Sequence, residues 1–154
     1  MNDRPVLSGS LFSIGHSNHS LEAFLGLLRA NGIELVVDVR SHPVSRFSPH
    51  FNHGRLPDSL KREGVAYVFL GRELGGRPAD ARFYDEEGHV LYGRLSRTAA
   101  FRRGIAELEA IAREGRPAAV MCAEENPSSC HRHLLIGPAL ARKGIALRHI
   151  RKAA

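Results

Sequence analysis

The stretch Ile33-Glu-Leu-Val-Val-Asp-Val39 is β-branched and nearly all apolar, as a strand covered on both faces must be. A strand of that kind needs helices above and below its sheet. The rest of the chain supplies them. Ser10 to His16 is a short apolar run with Gly15 near its end and reads as a first strand. Ser20 can cap a helix in which Leu21, Phe24, Leu25 and Leu28 repeat at i, i+3, i+4 and i+7, and Asn31-Gly32 ends it. Leu56 and Leu60 mark a short helix closed by Gly64, and Val65 to Leu70 reads as a third strand. Thr98 caps a long helix with Phe101, Ile105, Leu108, Ile111 and Ala112 on its buried side, closed by Gly115. Pro117 to Cys122 gives a fourth strand and Ala146 to Ile150 a fifth. Between them a last helix starts at Ser128 or Ser129 and runs to about Lys143. Pro138 predicts a kink there, or two short pieces.

Residues 71–97 hold Gly75-Gly76, Pro78, an Asp85-Glu-Glu-Gly88 turn and five arginines. A connection of this length reads as a long loop or lid, or carries structure of its own.

Strand and helix in alternation define an α/β chain. The expectation is one three-layer, doubly wound domain over residues 1–154, with about five mostly parallel strands, Rossmann-like or flavodoxin-like. The 154 residues suit one domain. A composition of 43% hydrophobic and 25% charged residues excludes a disordered tail or a collagen-like rod. No apolar run reaches the ~20 residues of a membrane span. Met1-Asn-Asp-Arg-Pro5 leads into only a short apolar patch and does not read as a signal peptide. A cytoplasmic protein with no membrane partner is expected, in which Cys122 and Cys130 form no structural disulfide.

The net charge is +6, and 19 of the 22 basic residues are arginine. An Ala-, Gly- and Arg-rich composition reflects GC-rich coding in large part. The positive field still favours an anionic small molecule or nucleic acid as partner. For nucleic acid, the arginines of 71–97 would meet phosphates and Phe83, Tyr84 and Tyr92 would stack on bases.

Doubly wound sheets bind ligands beyond the C-terminal ends of their strands. After the first strand come His16 and Asn18; after the second, Asp38, Arg40, His42 and Arg46; after the third, Glu73 and Gly75-Gly76; after the fourth, Cys122, Glu124, Cys130, His131 and Arg132. The opposite loops are plain helix stops. The expected site is therefore this edge. Asp38 and Glu124 are candidates for acid–base work, and His131 for proton transfer. Cys130, at a helix start that lowers a thiol pKa, is a candidate nucleophile. His16, Asn18, Arg40, Arg46, Glu73, Cys122 and Arg132 are candidate substrate-binding residues. Arg132 either holds an anion at the helix start or pairs with Glu124 or Glu125 and staples the loop.

Three further readings attach to the cysteines. Val36-Val-Asp-Val-Arg40 is similar to the aspartate–arginine strand of rhodanese domains, which suggests rhodanese- or phosphatase-like thiol chemistry, although Arg132 lies ten residues beyond Cys122 and the loop lacks glycine. No cofactor is expected; zinc held by Cys122, Cys130, His131 and His16 is the weaker option, since the cysteines lack the short spacing of a zinc hook. A redox pair is weaker again without Cys-x-x-Cys. A buried structural cysteine is the bland reading of Cys122.

Ser13-Ile-Gly-His-Ser-Asn18, Val37-Asp-Val-Arg40 with Pro43 and Arg46, Glu73-Leu-Gly-Gly76, and Cys122-Ala-Glu with Cys130-His-Arg132 resemble the bacterial domain-of-unknown-function family 488. The resemblance runs from about residue 11 to 150. It implies a compact cytosolic α/β domain and no settled reaction. It would place the family's recurring residues at His16, Ser17, Asn18, Asp38, Arg40, Pro43, Arg46, Glu73, Gly75, Gly76, Cys122, Glu124, Cys130, His131 and Arg132. Gly137-Pro138 departs from the family's unbroken helix.

Overall fold

The computed structural model describes residues 10–124 and 130–151. Among them, five strands form one parallel sheet: β1 (Ser10–Gly15), β2 (Leu35–Asp38), β3 (Ala66–Phe69), β4 (Ala118–Cys122) and β5 (Ala146–Ile150). Their order is β3-β2-β4-β1-β5. The helices are α1 (Leu21–Ala30), α2 (Leu56–Lys61), the single turns α3 (Gly71–Leu74) and α4 (Tyr92–Leu95), α5 (Ala99–Glu114) and α6 (Gly137–Ala141). The expected doubly wound α/β architecture is present.

The order explains the layers. From β1 to β3 the chain moves toward one edge of the sheet; from β3 to β5 it moves back. Right-handed crossovers then put their helices on opposite faces. Phe24 and Leu28 of α1 and Leu60 of α2 pack with Val36 and Met121 on one face. Ile105 and Leu108 of α5 and Leu140 of α6 pack with Val37 and Val120 on the other. Adjacent residues of β2 and β4 thus serve different cores, which is why β4, and β2 up to Asp38, are apolar.

The helix signals act as read. Ser20 Oγ accepts from the Ala23 N–H at 3.1 Å, and Thr98 Oγ1 from the Phe101 N–H at 3.1 Å. Gly115 ends α5 at a φ of +80°. Before Pro138 the last helical segment makes a π turn over Arg132–Ile136, with the Gly137 N–H bonded to the Arg132 carbonyl, and α6 then begins. Proline has no N–H to continue the ladder, so the segment divides into two pieces. Ser128, Ser129 and Glu125 lie outside the described residues.

Residues 71–97 are no bare loop. Besides α3 and α4 they contain a 3-10 turn (Ala81–Phe83) and an antiparallel bridge between Tyr84 and Val90. Leu74, Phe83 and Leu95 anchor the segment in the core. Of the aromatics expected to stack on bases, Phe83 is buried, the Tyr84 hydroxyl donates to the Pro78 carbonyl at 2.7 Å, and Tyr92 is half-buried at the start of α4.

The C-terminal end of β4 is held between those of β1 and β2. The His16 N–H donates to the Cys122 carbonyl at 2.9 Å, and the Val39 N–H to the Met121 carbonyl at 3.0 Å. No helix among the described residues is long and apolar enough to cross a membrane.

Candidate functional site

A cavity of about 280 Å³ lies where these three strand ends meet. Its wall includes His16, Arg40, Cys122, Glu124, Cys130 and His131. These six converge there with His42 and Gly76, which were also expected at this edge.

Strand alternation divides the site into two networks. On the α1 side, Arg40 grips Asp38 in a bidentate ion pair, Nε to Oδ1 at 2.8 Å and Nη2 to Oδ2 at 2.7 Å. Both residues are buried. Arg40 Nη2 also donates to the Phe51 carbonyl at 2.8 Å, and the Tyr67 hydroxyl to Asp38 Oδ2 at 2.6 Å. Burial, and then the bond to Asp38, push the Tyr67 phenol well above its ordinary value. His16 completes the set. Its Nδ1–H donates to the Ser17 carbonyl at 2.9 Å, its Nε2 accepts from Arg40 Nη1 at 3.3 Å, and its ring stacks on Phe51 with centroids 4.6 Å apart. Burial is the main reason its pKa falls to about 4; the Arg40 charge acts in the same direction. His16 is therefore a neutral imidazole at ordinary pH.

On the α5 side lie the thiols, both free and buried against the cavity. Cys122 ends β4 on the same face as Val120 and donates to the Glu124 carbonyl at 3.7 Å. Cys130 Sγ sits 3.6 Å from His131 Nδ1 and accepts from the Arg132 N–H at 3.5 Å. His131 Nε2–H donates to the Val39 carbonyl at 3.0 Å. The neighbouring Cys122 thiol, followed by His131 and the Arg132 N–H, holds the Cys130 pKa well below the usual 9.0. Burial pushes the Cys122 thiol far the other way. The two sulfurs are thus pushed in opposite directions, Cys130 toward the thiolate and Cys122 toward the thiol.

Gly75 and Gly76 make this packing possible. A Cβ on Gly76 would lie 2.8 Å from Cβ and Cγ of His131, and one on Gly75 would run into the Ser41 hydroxyl. The two glycines let the chain after α3 close over the imidazole.

The structure places the other expected residues elsewhere. Asp38, expected as an acid or base, is fully buried beneath Arg40 and off the cavity wall, its oxygens occupied by Arg40 and Tyr67. Arg132, expected to hold a substrate anion, is also fully buried. Its Nη2 donates to the Glu124 carbonyl at 2.7 Å and its Nη1 to Ser13 Oγ at 2.8 Å. It fixes the polypeptide around the thiols and does not reach the cavity. Asn18 and Arg46 are exposed and off the wall, and Glu73 lines a separate groove with Arg103 and Glu107 of α5. Glu124 is exposed at the cavity.

Sequence reasoning gave no site role to Ser41 or Ser13, and took Arg77 only among the arginines of 71–97. Ser41 and Arg77 line the cavity, and the Arg77 N–H donates to Ser41 Oγ at 2.9 Å. Each directly follows a residue that was singled out, so reading one position further finds both. Ser13 is a fully buried hydroxyl within an apolar strand that accepts from Arg132 and donates to His149 Nδ1 at 2.5 Å. A polar residue in a buried run was its signal.

A zinc site would need Cys122, Cys130, His131 and His16 around one point. Among the described residues, donors gather that closely only at Asp85, Glu87 and His89 on an exposed turn.

The fold and the cavity define a doubly wound α/β protein with a cysteine–histidine pair at the C-terminal edge of its sheet. The model of the family Domain of unknown function DUF488 matches residues 20–137, and the chain belongs to that family. No curated protein and no solved structure was found to match it.

Proposed function

We propose that this protein is a cysteine-dependent enzyme of the cytoplasm acting on a small anionic substrate, phosphorylated or nucleotide-like. Cys130 is the nucleophile and His131 its acid–base partner. One observation carries the reading: the Cys130 sulfur faces His131 Nδ1 at 3.6 Å while the opposite ring nitrogen is bonded to Val39. Nucleophile, base and the group that orients the base stand in sequence, as covalent catalysis needs.

The Arg40 charge is paired with Asp38, so Arg77 is the arginine that lends the cavity wall a positive charge, and 280 Å³ suits a phosphate with part of a sugar. The Cys130 sulfur attacks the electrophilic atom of the substrate, and the bond to the leaving group breaks. His131, as imidazolium, gives its Nδ1 proton to that group. Water then attacks the thio-intermediate while His131 takes a proton back, and the thiolate is restored. Glu124 offers a second proton carrier at the cavity.

The test is turnover of a panel of phosphate mono- and diesters. Cys130→Ser should abolish it, and His131→Asn should lower it by about 10²–10⁴. Inorganic phosphate should slow alkylation of Cys130 by iodoacetamide, and Arg77→Ala should weaken that protection. Full turnover by Cys130→Ser defeats the proposal.

A further inference from the structure

We propose that Cys122 and Cys130 close into a reversible intramolecular disulfide, with Cys122 acting as the resolving thiol when a hydroperoxide oxidises Cys130. The inference rests on Cys130 being the reactive thiol of the site, and on no turnover.

Three observations support the pairing. The two sulfurs share one cavity wall, and each bears on the ionisation of the other. Cys122 is fixed at a strand end, its carbonyl accepting from the His16 N–H and its thiol bonded to the Glu124 carbonyl. Arg132 ties the two stretches together, donating to that same Glu124 carbonyl through its guanidinium and to the Cys130 sulfur through its backbone N–H. Cys122 and its partner are therefore held on one wall by the same arginine. Burial keeps its proton on, so it is inert until Cys130 changes.

The steps balance. The Cys130 thiolate attacks the terminal oxygen of the hydroperoxide. The O–O bond breaks, an alcohol or water leaves with a proton, and Cys130 becomes a sulfenic acid. The Cys122 sulfur then attacks the Cys130 sulfur and the S–O bond breaks. The departing hydroxide takes the Cys122 proton and leaves as water. Two thiols are oxidised by two electrons and the peroxide is reduced. An external dithiol restores both cysteines by exchange. Closure would protect Cys130 from the irreversible sulfinic acid while removing the nucleophile from use.

The test oxidises the full chain with a small excess of hydrogen peroxide, quenches it in acid and labels free thiols with N-ethylmaleimide under denaturing conditions. No Lys or Arg lies between Pro117 and His131, so a tryptic peptide holds both cysteines. Cleavage after Glu124 or Glu125 separates them. The expected result is two Glu-C peptides joined within one chain, unlabelled, and released by dithiothreitol. In Cys122→Ala, Cys130 should instead run to sulfinic acid that dithiothreitol does not reverse. The proposal is overturned if the wild-type chain carries sulfinic Cys130 and labelled Cys122, or cross-links only between chains. Should Cys122→Ala not fold, the wild-type peptide map decides alone. A disulfide without ester turnover defeats only the proposed function. Turnover without a disulfide defeats only this inference, and a Cys130 inert to both peroxide and alkylation defeats both.

Discussion

His131 donates its Nε2–H to the backbone carbonyl of Val39 at 3.0 Å, across 92 residues of sequence. Val39 directly follows β2, so the sheet itself sets the rotation of the imidazole. The other nitrogen then faces Cys130. Because a backbone carbonyl cannot ionise, the Nε2 proton stays in place and Nδ1 is the nitrogen that exchanges protons with the thiol.

Cys130 should be a thiolate well below the pH at which free cysteine ionises. Its alkylation by iodoacetamide, read on the Cys130 peptide of the wild-type chain, is expected to be nearly as fast at pH 6 as at pH 8. An ordinary thiol is under ~1% ionised at pH 6. His131→Asn should make the rate rise with pH toward the behaviour of a free thiol. A wild-type Cys130 profile that climbs with a midpoint near 8.5 would contradict the assigned geometry.

Gly76→Ala should displace the imidazole without touching either sulfur. The new methyl meets the His131 ring, and overpacking of this kind costs about 1–3 kcal/mol. The expected phenotype is a folded protein with a lowered denaturant midpoint and slowed Cys130 alkylation. Gly93→Ala, where an added Cβ meets nothing within 4 Å, is the control. Equal reactivity of the two variants would show that Gly76 does not position His131.

The buried ion pair of Asp38 and Arg40 should act in folding. Asp38→Asn leaves the Arg40 charge facing an uncharged amide in a dry site, a loss of about 3–5 kcal/mol. Tyr67→Phe removes one hydrogen bond to the carboxylate and should cost about 1.5–3 kcal/mol, since the acceptor is charged. Urea melts read both. An Asp38→Asn protein of wild-type stability would disprove the role.

Stability should fall in mild acid because of His16. Burial holds its folded pKa at about 4, against 6.5 in the open chain. Below pH 6.5 the unfolded state takes up a proton that the folded state refuses, so stability declines as pH drops from 6.5 toward 4. The full loss is up to about 3 kcal/mol. Cys130 and His149, both with lowered values, slope the same way, so the informative quantity is the difference between wild type and His16→Gln. That difference should shrink toward acid. A constant gap across the range would mean that His16 is not neutral in the folded state.

The strands, the helices and their ends were legible because each is encoded within about ten residues of chain. Val36 and Val37 announce a strand covered on both faces, Ser20 and Thr98 announce helix starts, and Gly115 a stop. The rule for parallel sheets then pointed to the correct edge, and six of the candidate catalytic and binding residues do line one cavity. What the local pattern did not contain was strand order. Placing β4 between β1 and β2 is what sets Cys122 between His16 and the Val39 carbonyl. The fates of the two charged residues that read as site groups were likewise decided at a distance. Arg132 reaches Ser13, 119 residues away, and Asp38 meets Tyr67 across the sheet. A charged side chain in a dry interior takes the partner that register and face bring to it, and neither register nor face exists until the strands have paired.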